Sequence, residues 1–211
     1  MKIVLIGPSG AGKGSLAEYL IRDYNIAHIS TGDIFRKNMA EKTELGLRAE
    51  KYVTAGLFCP DDLVVEMLLA RIKENDCANG FILDGFPRTL VQAELLTQNV
   101  KIDLAIELDS SDETVLTRLL GRYMCRKCGQ IHNSRYDEIK KCKKCGSKQL
   151  YQRDDDKEEK IRRRLSEYRS YSAALLEYYR KRGMLISIKS GLENKPADIY
   201  AVFKKELGAR K

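Results

Sequence analysis

Hydrophobic positions divide the chain into short apolar runs that alternate with segments of helical spacing. Between the runs, apolar residues recur every three or four positions, as Leu16, Leu20 and Tyr24 do after the first run. The pattern predicts strands over residues 2–6, 27–30, 80–84, 103–109 and 184–188. It predicts helices over 15–24, 31–40, 44–55, 63–74, 89–98, 112–120, 155–182 and 196–207. This alternation is typical of an α/β fold in three layers, with a five-stranded, mainly parallel sheet between helices.

Two segments fall outside this alternation. Residues 30–59 and 121–156 begin and end near predicted strand or helix ends, and we interpret them as small inserted subdomains. The remaining residues, 1–29, 60–120 and 157–211, then form a single core domain.

The first strand leads into a glycine-rich loop over residues 7–15, which reads GPSGAGKGS. Glycines let the backbone approach phosphate groups, and the N–H groups at the start of the following helix point at them. Lys13 adds a positive charge for the β- and γ-phosphates, and the hydroxyl group of the motif comes at Ser15. Strand, loop and helix together predict a P-loop fold that binds a nucleotide through residues 10–15. These are Gly10, Ala11, Gly12, Lys13, Gly14 and Ser15.

Composition places the chain among ordinary globular proteins, at 211 residues with 43% hydrophobic and 32% charged positions. We expect no membrane association, because no apolar run approaches the roughly 18 residues of a membrane span. Residues 1–6 are interpreted as a core strand and not a signal peptide, so we expect a cytoplasmic protein. In that compartment, the six cysteines favour a metal site over disulfides.

The net charge of +8 is concentrated in one segment. Residues 121–153 contain ten basic and two acidic side chains, which equals the formal excess of the whole chain. A cationic flap over an anionic ligand is favoured, while a nucleic-acid surface stays open at this point.

Further polar groups follow the predicted strands. Asp84 ends one strand, where a carboxylate can organise magnesium and its waters beside the loop. Arg88 can clamp a second phosphate, and the amide of Gln92 can both donate to and accept from a base edge. Arg36 follows Thr31 in a second group of small polar residues.

Taken together and in order, these motifs resemble the adenylate kinase family along essentially the whole chain. They are residues 7–15, 30–36, 84–89 with Gln92, Gly121-Arg122, and Arg153-Asp154-Asp155-Asp156 followed by Arg164. The resemblance implies a magnesium-dependent, reversible phosphoryl transfer from ATP to AMP that gives two ADP. It implies that ATP lies on the loop, that AMP lies under the 30–59 insertion, and that a lid closes over both. We expect a monomer whose ligands are ATP, AMP and ADP, without nucleic acid.

The resemblance also implies roles for individual side chains. Arg118 corresponds to the arginine that stacks on the donor adenine, and Arg122 to the one that reaches the ATP phosphates. Thr31 and Gln92 correspond to contacts with the AMP base, and Gly85 to a further AMP contact. The remaining assignments are Arg36 and Arg88 at the AMP phosphate, Arg153 and Arg164 between the two nucleotides, and Ser15 and Asp84 at magnesium through water. The expected catalytic set is Lys13, Arg88, Arg122, Arg153 and Arg164.

Four of the cysteines have the spacing of a tetrahedral zinc site. Cys125 and Cys128 form one C-x2-C pair and Cys142 and Cys145 the other, separated by 13 residues. A subset of the family carries zinc in this part of the lid, so we expect a structural zinc here. His132 is a possible competing ligand that four thiolates make unnecessary.

Two other functions remain to be weighed. Another nucleoside monophosphate kinase, acting on UMP or CMP, would share most of these motifs, but the long cysteine-bearing lid and Gln92 disfavour it. A nucleic-acid-dependent ATPase with a zinc ribbon would leave residues 30–36 and 85–92 unexplained. The lid also has few aromatic side chains for base stacking.

Overall fold

The computed structural model describes residues 1–54, 59–136 and 138–210, and for residues 36, 53 and 54 it describes the backbone alone. The strands are β1 (Lys2–Ile6), β2 (Ala27–Ser30), β3 (Phe81–Asp84), β4 (Leu104–Asp109), β5 (Arg122–Cys125), β6 (Ile131–Asn133), β7 (Leu150–Tyr151) and β8 (Leu185–Lys189). The helices are α1 (Lys13–Tyr24), α2 (Thr31–Ala40), α3 (Glu44–Thr54), α4 (Asp61–Arg71), α5 (Leu90–Asn99), α6 (Asp112–Leu120), α7 (Glu158–Lys181) and α8 (Pro196–Gly208).

The predicted five-stranded parallel sheet is confirmed, with the strand order β2-β3-β1-β4-β8. Side chains of β1 alternate between its two faces, as a strand in a three-layer fold requires. Ile3 and Leu5 pack against α1 and α8 on one side, whereas Val4 and Ile6 join the core formed with α4, α5 and α7. The carboxyl ends of β1, β2 and β3 therefore meet at one edge of the sheet, where the predicted polar groups lie.

Several predicted helix ends are wrong by one to three residues. The helix predicted over 63–74, for example, is α4, Asp61–Arg71. The Thr43 hydroxyl caps α3, because it accepts a hydrogen bond from the Gly46 N–H at 3.0 Å. The predicted end of α3, at residues 55 and 56, lies outside the described residues.

The sequence did not predict the small antiparallel sheet within residues 121–156. Its strand order is β6-β5-β7, and its strands are only two to four residues long. Within the described parts of the chain, no helix combines the length and apolar character that a membrane crossing demands.

Candidate active site

The loop between β1 and α1 has the backbone conformation of an anion-binding loop. Gly10 and Gly12 have φ angles of 85° and 100°, a left-handed region that favours glycine. Helix α1 begins at Lys13, directly after this turn, so the N–H groups of its first turn face the loop. The Lys13 Nζ donates hydrogen bonds to the carbonyl oxygens of Gly7 at 2.9 Å and Pro8 at 3.0 Å.

Lys13 has charged groups of both signs in its surroundings. Burial lowers the pKa of Lys13; the nearby charge of Asp84 opposes this, whereas Arg88 and Arg122 add to the lowering. The ion pair with Asp84 places the glycine-rich loop beside the end of β3, where the segment that carries Arg88 begins.

Asp84 is the acid of this site. Its Oδ1 lies 3.8 Å from the Lys13 Nζ, and its Oδ2 lies 3.5 Å from the His28 Nε2. Burial raises the pKa of Asp84, but the combined effect of Lys13, His28 and Arg88 is larger and lowers it. The net pKa therefore lies below its usual value. The side chain is therefore a carboxylate at neutral pH, the form that can accept hydrogen bonds from water molecules around a cation.

Three arginines are held together by two carboxylates at the end of residues 121–156. Arg122 donates from Nε and Nη2 to the two oxygens of Asp156, at 2.8 Å and 2.6 Å. Arg164 contacts Asp156 Oδ1 at 3.4 Å and Asp155 Oδ2 at 2.9 Å. Arg153 contacts the other oxygen of Asp155, also at 2.9 Å. The structure thus brings together Arg122, Arg153 and Arg164, which lie up to 42 positions apart in the sequence.

Thr31 and Gly85 are neighbours because β2 and β3 are paired. Ser30 is in register with Asp84, so the residues that follow the two strands lie side by side. The Thr31 hydroxyl donates to the Gly85 carbonyl oxygen at 3.2 Å, and the Arg88 Nε donates to the same oxygen at 3.0 Å.

Two further predicted AMP contacts lie nearby. Arg36 lies within α2, and its side chain is outside the described part of the structure. Gln92 lies in the first turn of α5 and is 5% exposed.

The guanidinium group of Arg118 is held by hydrogen bonds along its edge. Its Nη1 donates to the Ala11 carbonyl oxygen at 3.1 Å and to the Ser190 hydroxyl at 3.0 Å, and its Nη2 donates to the Gly191 carbonyl oxygen at 2.5 Å. All N–H bonds of a guanidinium lie in its plane, so these hydrogen bonds engage the edge of the group and not its two faces. Arg118 thereby connects the glycine-rich loop with the loop that follows β8.

The four cysteines of the C-x2-C pairs form one cluster, with their sulfur atoms within 4.8 Å of one another. Cys125 and Cys145 have sulfurs 3.6 Å apart, and Cys128 and Cys142 have sulfurs 3.5 Å apart. Thiolates at about 2.3 Å from a tetrahedral zinc ion lie about 3.8 Å from one another, so these side chains fit such an ion.

The surroundings shift the pKa values of two of these thiols in opposite directions. The backbone N–H of Gln130 lowers the pKa of Cys128, but burial and the other three cysteine sulfurs raise it to about 12. Burial raises the pKa of Cys142, but the backbone N–H groups of Cys145 and Lys144 and the His132 side chain lower it to about 5. His132 is buried, with its Nε2 3.4 Å from the Cys142 Sγ. It therefore contacts a candidate ligand from the outside of the cluster.

Several residues that hold this site together have no role that the sequence predicts. Asp155 and Asp156 follow Arg153 by two and three positions, and this position was the available signal. Asp61 begins an ordinary helix and Ser190 follows an ordinary strand. Neither pattern predicts the contacts that these two side chains make.

Comparison with known proteins agrees with the geometry. A family model described as adenylate kinase matches residues 5–184. An adenylate kinase of Alkaliphilus oremlandii is 43% identical over 99% of this chain and 99% of its own length. An adenylate kinase of Thermodesulfovibrio yellowstonii is 46% identical over 89% of this chain and 91% of its own, and one of Methanocella arvoryzae is 42% identical over 97% and 99%.

Proposed function

The chain belongs to the adenylate kinase family and catalyses phosphoryl transfer from ATP to AMP, and from this premise we propose which residues carry out the transfer. The observation that carries the proposal is a cluster of cations: the Lys13 Nζ lies 3.8 Å from Asp84, four positions before Arg88, and Arg122, Arg153 and Arg164 share the carboxylates of Asp155 and Asp156. A transferred phosphoryl group spreads negative charge over its equatorial oxygens, so a site of fixed cations is what this reaction requires.

ATP occupies the loop side of the site in this proposal. Residues Gly10, Ala11, Gly12, Lys13, Gly14 and Ser15 bind its phosphates through backbone N–H groups and the Lys13 ammonium. Arg118 stacks one face on the adenine, while hydrogen bonds to the carbonyl oxygens of Ala11 and Gly191 hold its edge. Arg122 reaches the phosphates from the start of β5.

AMP occupies the other side, between α2 and the segment after β3. Thr31 and Gln92 contact its base, Gly85 allows close approach of the backbone, and Arg36 and Arg88 bind its phosphate. Arg153 and Arg164 bridge the two nucleotides, since Asp155 and Asp156 hold both beside Arg122.

The transfer itself needs no general base, because the attacking phosphate oxygen of AMP is already ionised. The arginines align this oxygen with the γ-phosphorus and stabilise the charge that develops. Water is the competing nucleophile, and closure of residues 121–156 over the site excludes it. Magnesium accompanies ATP in this family and neutralises phosphate charge; here Ser15 and Asp84 would hold it through water molecules.

Zinc would serve the lid and not the chemistry. Cys125, Cys128, Cys142 and Cys145 would bind it as thiolates, and the ion would hold the two cysteine turns together.

The same proposal assigns the domains. Residues 1–29, 60–120 and 157–211 are the core, 30–59 the AMP-binding insertion, and 121–156 the lid. We propose a cytoplasmic monomer whose basic lid serves nucleotide capture and not nucleic acid.

The deciding experiment is a coupled assay of ADP formation from ATP, with AMP, GMP, CMP and UMP offered in turn. AMP should exceed each of the others by at least about a hundredfold in kcat/KM, because a site that hydrogen-bonds one base leaves its polar groups unpaired with another. Equal or better use of UMP or CMP would overturn the assignment of the acceptor.

A further inference from the structure

The side chain of Gln92 is oriented by two partners of opposite character. Its Nε2 donates to the Asp61 Oδ1 at 2.7 Å, and its Oε1 accepts from the Arg88 backbone N–H at 2.7 Å. A carboxylate only accepts and a backbone N–H only donates, so both partners require the same orientation of the amide. A flipped amide would lose both hydrogen bonds at once.

Asp61 is itself fixed by a second contact. Its Oδ2 accepts from the Thr89 hydroxyl at 3.0 Å, and that hydroxyl oxygen in turn accepts from the Gln92 N–H at 3.1 Å. Asp61 is the first residue of α4 and Thr89 caps α5, so the network connects two helix ends. The carboxylate has both its oxygens engaged with the segment that carries the predicted acceptor contacts.

We propose that Asp61 is a positioning residue that determines acceptor-base specificity by fixing the orientation of the Gln92 amide. An amide has two donors and two acceptor positions, and the network uses one of each. One N–H and one lone pair remain, in a fixed arrangement, for a base. This inference rests on the proposed contact between Gln92 and the AMP base.

An amide held in one orientation discriminates between purine bases by the group that they carry at position 6. Adenine presents an amino donor there beside an unprotonated N1, whereas hypoxanthine presents a carbonyl acceptor beside an N1–H. The same amide orientation cannot serve both patterns, and a mismatch leaves buried polar groups unpaired. A flipped amide would serve hypoxanthine, and the hydrogen bonds to Asp61 and Arg88 oppose that flip.

The test is Asp61→Asn, which keeps the shape but lets position 61 either donate or accept. The stronger, charge-assisted hydrogen bond to Gln92 is lost, so the amide should be less firmly oriented. We expect the ratio of kcat/KM for AMP to that for IMP to fall about tenfold, mainly through KM. Asp62→Asn is the matched control: this neighbour is exposed, carries the same charge and should leave the ratio unchanged. Both acceptors are assayed on one enzyme sample, so any unfolded fraction cancels from the ratio.

Gln92→Met tests the contact between Gln92 and the base separately from the positioning role of Asp61. A tenfold or greater rise in the KM for AMP supports the base contact. If that rise occurs but Asp61→Asn changes the AMP-to-IMP ratio less than twofold, the positioning role of Asp61 is wrong while the base contact stands. If Gln92→Met leaves the KM for AMP unchanged, the base contact is wrong and the inference fails with it.

Discussion

Arg122 and Asp156 form a bidentate ion pair that joins the beginning and the end of residues 121–156. The Arg122 side chain is 14% exposed and that of Asp156 is 1% exposed, so the pair is largely withdrawn from water. Arg164 contacts the same carboxylate from α7. Asp156, at the end of residues 121–156, thus holds two arginines predicted to be catalytic, Arg122 and Arg164, in place.

Asp156→Asn should reduce catalysis more than AMP binding. The amide keeps the shape but not the charge, so Arg122 loses its paired anion while still partly buried. We expect kcat to fall at least tenfold with little change in the KM for AMP, and the free energy of unfolding to fall by roughly 3 kcal/mol. Steady-state kinetics and urea unfolding measure the two effects. Asp154→Asn, at an exposed neighbouring acid, should change neither; equal losses in both variants would contradict the role given to Asp156.

Arg88→Lys should fail badly as an enzyme. The Arg88 Nε donates to the Gly85 carbonyl oxygen at 3.0 Å, one residue after Asp84, whose carboxylate pairs with Lys13. An ammonium group cannot reproduce two parallel hydrogen bonds to a phosphate. We expect kcat/KM for AMP to fall by more than tenfold, a loss of at least about 1.4 kcal/mol in transition-state stabilisation. Retention of more than about a tenth of the wild-type value would show that Arg88 is not the phosphate clamp.

The central sheet could be predicted because buried parallel strands are short apolar runs, and each such run in this sequence is followed by a helical pattern. The glycine-rich loop could be placed because its strand and helix are adjacent in the sequence. The lid strands could not, since runs of two to four residues give no period. Their pairing depends instead on the turns that the cysteines make.

The supporting contacts of the site could not be predicted from the sequence, for a different reason. Arg118 is held by carbonyl oxygens of Ala11 and Gly191, and every residue type carries such an oxygen. Asp61 and Gln92 lie 31 positions apart, so only the packing of α4 against α5 brings them together. Motifs predict which groups act on a nucleotide, whereas the contacts that orient those groups depend on the fold.

The positive charge of the lid should not confer tight binding to nucleic acid. The segment carries ten basic side chains, but two of its arginines, Arg122 and Arg153, contact the acids at its own end. Gel-shift titration with RNA and DNA at about 150 mM salt should give dissociation constants no lower than the non-specific range of about 10⁻⁴–10⁻⁶ M. Binding below micromolar that ATP does not displace would favour a nucleic-acid function for this surface.

Removal of the metal should unfold the lid and leave the core intact. Within the described residues of 121–156, the buried side chains are Cys125, His132, Cys142 and Asp156, so the sulfur cluster takes the place of an apolar core. The core domain has its own two hydrophobic clusters on the faces of the sheet. The metal should therefore supply the folding free energy of the lid alone. We expect one zinc ion per chain, and loss of hydrogen-exchange protection confined to residues 121–156 when it is stripped or when Cys142→Ser is combined with Cys145→Ser.

The kinetic consequence follows from where the arginines lie. Arg122 and Arg153 belong to the lid, whereas Arg88 follows β3, so the double serine variant should lose turnover while AMP still binds. Isothermal titration with AMP and steady-state kinetics separate the two. Cys59→Ser is the control, since Cys59 lies outside the cluster and should change neither zinc content nor turnover. Protein purified without chelators that contains no stoichiometric metal, or a core that unfolds together with the lid on stripping, would show that the four cysteines do not act as a structural metal site.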